Sequence, residues 1–313
     1  MKKEKAVLLA SVLCISSSLY AQKVQKDSIK TISLDNVEVI STRANQKTPV
    51  AFTNVTAKEI AHKNLGADIP YLLGNTPSVL TTSDAGAGVG YTSMRVRGTD
   101  GTRINVTVNG VPMNDSESHS LYFVNMPDLA SSLRDIQVQR GAGTSTNGAG
   151  AFGASVNMQT EGVSMQPYTT LSSSYGSFNT HKETFKIGTG LLKNHWAFNA
   201  RLSNIATGGY IDRASANLNS YMLQAGYFNE NTALRFVTFN GTEKTYHAWD
   251  YASKEDMKLY GRTYNPCGQY TDDAGNTRYY DNQTDNYHQQ NYQVLLTQQL
   301  SENWNLHAAL FYT

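Results

Sequence analysis

The residues of this chain that could carry out chemistry are present but not assembled for it. Gly148-Ala-Gly150-Ala-Phe-Gly153 matches G-x-G-x-x-G, the turn that brings a dinucleotide pyrophosphate against a helix N-terminus. That turn needs a strand before it and a helix after it. Here Gly143-Thr-Ser-Thr-Asn precedes and the strand-type Ala154-Ser-Val-Asn-Met follows, so nucleotide binding is not expected. The seven histidines are scattered with no pair at i, i+4, and one cysteine, Cys267, remains beyond the amino-terminal segment, which leaves no zinc or haem-iron set. Neither a G-x-S-x-G elbow nor an S-x-x-K motif occurs. Asp272, Asp273, Asp281 and Asp285 depart from the D-x-D-x-D-G spacing of a calcium loop and read as a solvated acidic loop. The expectation is therefore no catalytic residue, no metal, no cofactor and no enzyme. Binding is better supported. Between Thr242 and His288 lie Tyr246, Trp249, Tyr251 and six further tyrosines, and aromatics with a polar tip supply large contact area for a ligand. Each single tyrosine is more simply explained by packing the loop on itself; the loop as a whole is too long for a mere connector.

The compartment is legible at the amino terminus. Lys2, Lys3 and Lys5 precede a mostly apolar run from Ala6 to Ile15, and mostly small residues follow to Ala21, the pattern of a cleaved secretory signal over 1–21. Its loss removes three lysines and one glutamate, turning a formal net charge of +1 into −1, and nothing in that balance calls for nucleic acid. Cys14 lies inside the signal and lacks the small residue that precedes a lipidated cysteine. No apolar run approaches the roughly 20 residues of a membrane-spanning helix, so a membrane role must use strands.

Three kinds of segment follow. Residues 22–49 are polar except for Leu34-Asp-Asn-Val-Glu-Val-Ile-Ser41, where Val37 and Val39 alternate with Asn36 and Glu38. This is either a lone strand awaiting a partner or the first strand of the next domain. Residues 50–162 read as a mixed α+β domain. A capping box at Thr56 to Glu59 opens one helix, a second runs near Asp68 to Gly74, and a third begins around Pro127. Strands fit Ser93 to Val96, Ile104 to Val108, Asp135 to Gln139 and Ala154 to Gln159, and Asn109-Gly110 is a favoured hairpin turn.

From 163 to 313 the pattern becomes segments of about ten residues, the length of a transmembrane β-strand. They lie at Tyr168 to Tyr175, His181 to Gly190, His195 to Asn204, Asn219 to Asn229, Thr232 to Gly241, Gln289 to Leu300 and Trp304 to Thr313. Trp196, Phe198, Ala200 and Leu202 share one face of the third, with Asn199, Arg201 and Ser203 on the other. Every second connection is short, as in outer-membrane barrels with short periplasmic turns and longer outside loops. A soluble sandwich would alternate too, but has no reason to divide its loops this way.

In order, these parts resemble the TonB-dependent outer-membrane receptor family across the chain beyond the signal. Asp35, Asn36, Val37, Glu38, Val39 and Ile40 look like a TonB box. Met94-Arg95-Val96-Arg97-Gly98, then Ile104 to Asn109-Gly110-Val-Pro112, then Ile136-Gln-Val-Gln-Arg140-Gly141, then Gly148 to Gly150 and Gly153 through Thr160 look like the family's plug motifs. The resemblance implies an α+β plug domain followed by the first strands of an antiparallel transmembrane β-barrel, which is incomplete in this chain. Family barrels are usually about 22-stranded and blocked by the plug until ligand binds outside. It further implies outward plug loops at Ser83 to Thr92 and Met113 to Tyr122. Ligand would meet Ser83, Asp84 and Tyr91 on one, Asn114, Asp115, Glu117 and His119 on the other, and Tyr246, Trp249 and Tyr251 of the barrel loop.

Implied partners are TonB of the inner-membrane TonB-ExbB-ExbD complex, which Asp35 to Ile40 would join as an added strand, outer-membrane lipid and a small-to-medium solute, with a surface lipoprotein left open. The implied location is the outer membrane of a Gram-negative bacterium, with plug and box facing the periplasm. With about a dozen residues between signal and box, no carboxypeptidase-like extension is expected. That leans toward an iron chelate, haem or cobalamin rather than glycans. Seven strands would leave an unpaired edge in lipid, so a longer natural product is expected. The competing expectations are a surface binding protein or adhesin without transport, and a truncated remnant without function.

Overall fold

The computed structural model describes residues 43–142 and 151–313. The signal, the box at Asp35 to Ile40, and Gly148 and Gly150 lie outside the described residues.

The first layer is built from β1 (Ala51–Thr56), β2 (Val79–Ser83), β3 (Thr92–Val96), β4 (Ile104–Val108), β5 (Val111–Pro112), β6 (Leu133–Arg140) and β7 (Ala154–Thr160). Five of these form one sheet in the order β1-β6-β7-β4-β5, with β4 and β7 parallel and the other pairs antiparallel, while β2 and β3 make a separate hairpin. Both β4 and β7 are buried along their whole length, so neither shows the alternation of a half-exposed strand. Between β4 and β5, Asn109 at φ 55° and Gly110 at φ 80° make the positive-φ pair that a tight hairpin needs.

Helix α1 (Ala57–Lys63) is started by the capping box: Glu59 N donates to Thr56 Oγ1 at 3.4 Å and Thr56 N donates to Glu59 Oε2 at 2.8 Å. Its Ile60 enters the core. A single turn, α2 (Ile69–Leu72), follows with Pro70 in its first turn. The helix expected near Pro127 is a correction: only a 3-10 turn, Leu129–Ser132, forms there. Asp128 stands before it in a left-handed conformation, φ 51°, with its carboxylate committed elsewhere, and β6 begins at Leu133.

The second layer is a seven-stranded antiparallel sheet of β8 (Pro167–Tyr175), β9 (His181–Thr189), β10 (Trp196–Thr207), β11 (Ala216–Phe228), β12 (Thr232–Tyr246), β15 (Thr284–Ser301) and β16 (Trp304–Tyr312). Each strand pairs with the next along the chain, and the sheet is open, with no closed barrel among the described residues. At one end the connections hold six, three and two residues, 190–195, 229–231 and 302–303; at the other they hold five, eight and 37, 176–180, 208–215 and 247–283, so the ends differ in the last two connections and not in the first. The last holds α3 (Lys254–Tyr260) and the hairpin of β13 (Gln269–Thr271) with β14 (Thr277–Tyr279). It is shorter than the sequence suggested. In β12 the alternation continues past Gly241, with Thr242 and Lys244 exposed and Glu243 and Thr245 buried, so the strand runs on to Tyr246.

The polarity of this sheet is reversed relative to a soluble protein. Trp196 is 45 % exposed on the outer face of β10, whereas Arg201 on the opposite face is 3 % exposed. Phe185, Ile187, Leu202, Leu234 and Phe236 also face outward, and Lys182, Gln224, Arg235 and Gln293 face inward. Leaving such side chains in water would forfeit about 1.5–3 kcal/mol each, so the outer face suits hydrocarbon. At the short-turn end Trp196 lies 4.9 Å from Tyr227 and 6.3 Å from Phe198, ring centre to ring centre, an aromatic cluster of the kind found at a membrane interface.

The α+β layer packs against the polar inner face of this wall. Met222, Val237, Phe239 and Leu295 of the wall join the core made by Leu129, Ile136 and Met158. The layers come close at Gly241, where a Cβ would overlap the carbonyl oxygen of Asn125 and lie 2.5 Å from Pro127 Cδ. Only glycine lets the backbones come this near.

Candidate functional site

Two loops of the first layer, 84–91 and 113–122, reach the end of the wall that carries the longer connections. There Tyr210 N donates to the Ala85 carbonyl at 2.8 Å, and Tyr251 Oη donates to Asp84 Oδ1 at 3.0 Å. Tyr91 is the hub. Its ring meets Trp249 edge-on at 5.5 Å, and its hydroxyl donates to Asp285 and, at 3.4 Å, to Glu243 Oε1. Burial, then the two carboxylates, push the Tyr91 phenol far above its usual pKa, so it remains a donor. Around these groups lies a cavity of about 1050 Å³ between Tyr91, the 113–122 loop and the upper part of β15, adjoined by one of about 290 Å³ that reaches Tyr251.

The sequence-derived site residues divide on inspection. Asp84, Tyr91, Asn114, Asp115, Glu117 and Tyr251 line these cavities. Ser83 instead accepts from Gly88 N at 3.1 Å and shapes its own loop. Asn114 is also spent on structure, accepting from Val106 N and donating to the Ile104 carbonyl. Asp115 Oδ1 accepts from Glu117 N and Ser118 N, and His119 takes φ 57°, so both serve the turn. Tyr246 is buried in β12 and donates to the Tyr280 carbonyl at 2.8 Å, away from the cavities. Trp249 reaches the site through Tyr91 and by stacking at 3.8 Å on His247. Sequence reading passed over Glu243, His247 and Tyr122. Glu243 could have been found from continued alternation in β12.

The residues of the sequence motifs hold backbone geometry. Arg97 at φ 51° and Gly98 at φ 82° form a tight turn, closed by Thr99 N donating to the Val96 carbonyl at 3.0 Å. A Cβ on Gly141 would meet Arg97 Nη1 at 3.0 Å, and one on Gly153 would overlap Thr99 Oγ1. Arg140 Nη1 donates to Thr53 Oγ1 at 2.6 Å. Arg95 lies exposed on β3, opposite Leu80. Asn109 docks the β4–β5 hairpin onto the wall, donating to Gln293 Oε1 at 2.9 Å. The first described residues are clasped as well: Arg43 pairs with Asp135 at 2.5 Å, and Gln137 exchanges hydrogen bonds with the Ala44 backbone at 2.8 and 3.0 Å.

A second polar centre fastens the two layers together. Asp128, fully buried, receives Lys182 Nζ at 2.7 Å, Thr184 Oγ1 and Ser203 Oγ at 2.7 Å each, and Ser131 Oγ at 2.6 Å, with Arg201 Nη1 at 3.8 Å. Burial alone would raise its pKa, but the Arg201 and Lys182 charges outweigh it and hold the carboxyl below the usual range.

Asp68 behaves oppositely. It is buried with Thr92 Oγ1 as donor at 2.9 Å, and burial pushes its carboxyl up to about 8. A carboxyl whose folded pKa is raised stabilises the fold most below its unfolded value of about 3.9. That contribution is lost progressively as pH rises from about 4 to about 8, and above that the loss is constant. Asp68→Asn is therefore expected to flatten the fall in thermal stability between these limits; an unchanged pH profile would refute the assignment.

Among the described residues no group of three or more His, Cys, Asp or Glu is placed to hold a metal. No helix is long and apolar enough to cross a membrane, which leaves strand crossing untouched.

With this geometry in hand, the family model for the TonB-dependent receptor plug domain matches residues 44–155. No curated protein sequence matches significantly. Among solved structures, the chain is similar to the ferripyoverdine receptor of the outer membrane of Pseudomonas aeruginosa, at 14 % identity and TM-score 0.62 over 95 % of this chain and 40 % of that one. It is also similar to the ferric yersiniabactin uptake receptor FyuA of Yersinia pestis, at 13 % and 0.62 over 84 % and 40 %. The ferric-catecholate import receptor Fiu of E. coli K12 gives 14 % and 0.61 over 84 % and 38 %. The chain thus spans about two fifths of the length of these structures, and at such identities the likeness is one of fold. Residues 44–155 thus form a TonB-dependent receptor plug domain, held against the polar face of an outward-apolar antiparallel wall.

Proposed function

We propose that the chain forms the plug and first wall strands of an outer-membrane transporter for a scarce, large solute: an iron chelate, haem or cobalamin. The observation that carries this reading is the convergence of plug loops 84–91 and 113–122 with the 247–283 connection around Tyr91, above a plug anchored to the wall at Asp128. Solute docks among these loops at the outer surface. Asp35 to Ile40 pairs as an added strand with periplasmic TonB of the TonB-ExbB-ExbD complex, through main-chain hydrogen bonds. Pull on that strand loads the Arg43–Asp135 and Ala44–Gln137 clasp first, because these are the nearest described attachments to it. The plug then shifts within the wall, and no covalent step is needed.

Val37→Pro tests the reading, because proline removes a main-chain donor from the pairing strand. In cells relying on this receptor for labelled ferric chelate, haem or cobalamin, the variant is expected to keep surface binding and lose uptake to the level of de-energised cells. Uptake at the unsubstituted rate would overturn TonB coupling. Binding without energised uptake by either form would favour a surface binding protein.

A further inference from the structure

On the outer face of the wall the chemistry changes abruptly along the strands. Phe185, Leu202 and Tyr221 lie side by side on β9, β10 and β11, and the next outward set toward the 247–283 end is Glu183, Asn204 and Asn219. Apolar surface gives way there to a carboxylate and two amides. The set beyond stays polar, with His181, Asn217 and Lys244. Outward apolar residues suit hydrocarbon and outward amides do not, so the change marks the edge of the hydrocarbon layer. A groove of about 450 Å³ straddles this edge, with Leu171, Phe185 and Leu202 on one side and Glu183, Asn204 and Asn240 on the other. The hydroxyls of Thr184 and Ser203 turn inward to Asp128, so these residues floor the groove with main chain.

Polar groups at the groove are left with bonds to make. Asn240 is only 7 % exposed; its Oδ1 accepts from Tyr221 N at 2.7 Å, and its Nδ2 has no partner among the described residues. Asn204 Nδ2 donates to Asn219 Oδ1 at 2.9 Å and to Asn217 Oδ1 at 3.0 Å, which leaves its own Oδ1 unused. The Glu183 carboxylate makes neither an ion pair nor a hydrogen bond among the described residues. A nearly buried donor beside two open acceptors calls for a partner that both accepts and donates.

We infer that the groove seats a glycolipid of the surrounding leaflet, with an acyl chain along Phe185 and Leu202 and a sugar against Glu183, Asn204 and Asn240. A hydroxyl donates and accepts, so a sugar meets all three groups. Phosphate oxygens only accept and would face the Glu183 carboxylate; an ammonium only donates and would leave Asn240 Nδ2 unmet. His181 and Lys244, the outward basic groups beyond, are not on the lining, and no Lys or Arg is. The inference takes from the proposed function only the setting of the wall in a bilayer.

The test uses the receptor with its whole barrel in phosphatidylcholine bilayers. A bimane on Ala200→Cys, outward on β10 beside Ile187 and Leu223, reports acyl chains that carry a nitroxide. Cys267 is buried and stays unlabelled. Nitroxide-labelled glucosyl diacylglycerol is expected to reach half-quenching at a mole fraction at least about threefold lower than phosphatidylcholine or phosphatidic acid with the same chains. A bimane on Val294→Cys, outward on β15 and off the groove, should show no preference. The preference at Ala200→Cys should vanish in Glu183→Leu, a change at an exposed side chain, and in Asn240→Leu. Equal quenching by the three lipids, a preference for phosphatidic acid, the same preference at Val294→Cys, or one that survives both substitutions overturns the proposal. Quenching is read without transport, so unchanged uptake by Val37→Pro would remove energised coupling and leave the lipid seat standing.

Discussion

Replacing Asp128 by alanine is expected to weaken the hold of the wall on the plug by about 3–5 kcal/mol, the cost of leaving buried charges without their partner. Lys182 and Arg201 are 5 % and 3 % exposed at the side chain, so water cannot replace the lost carboxylate. Thr184 and Ser203 lose their acceptor at the same time. In hydrogen exchange on the receptor with its whole barrel, protection of β6 and β7 should fall by a factor of about a hundred or more, given about 1.4 kcal/mol per tenfold. Asp128→Leu with Lys182→Met and Arg201→Met should restore much of it, since a well-packed apolar replacement for a buried ion cluster is often neutral or stabilising. Unchanged protection in Asp128→Ala would mean that apolar packing alone seats the plug.

Much of this architecture was legible in the sequence because it follows from local rules. The Thr56 capping box and the Asn109-Gly110 hairpin appear where turn chemistry puts them, and all seven wall strands form, with β12 and β15 running five residues beyond their expected bounds at the 247–283 end. What escaped were features made by contact between distant segments. Nothing near Asp128 in sequence announces that its carboxylate is met by Lys182 and Arg201, more than fifty residues on. Gly241 reads as the end of a strand, and its reason lies in the Asn125 carbonyl across the interface. The candidate site was legible as a set of loops rather than as residues. Asp84, Tyr91 and Tyr251 converge, whereas Ser83, Asn114 and Tyr246 spend their polar atoms on the fold. Asn and Ser near turns so often bond their own backbone that sequence alone cannot separate the two uses.

Fastening the plug to the wall should stop transport without touching the ligand. A Cβ at Gly90 lies 3.5 Å from Ala216 Cβ at the head of β11, within the separation of about 3.5–4.5 Å that a disulfide spans. Cysteines there would join the plug's outer loop directly to the wall. Cysteine at Gly90 must adopt φ +90°, a strain of about 1–3 kcal/mol, which the cross-link offsets in the oxidised form. Cys267 is buried and should not compete. The measurement that bears most directly on plug movement as the gate is energised uptake by Gly90→Cys/Ala216→Cys, oxidised and then reduced, with surface binding followed in parallel. The expected result is full binding in both states, uptake lost when oxidised and regained on reduction. Undiminished uptake by the quantitatively cross-linked receptor would contradict the account, because solute would then cross while the plug loop stays fixed to the wall.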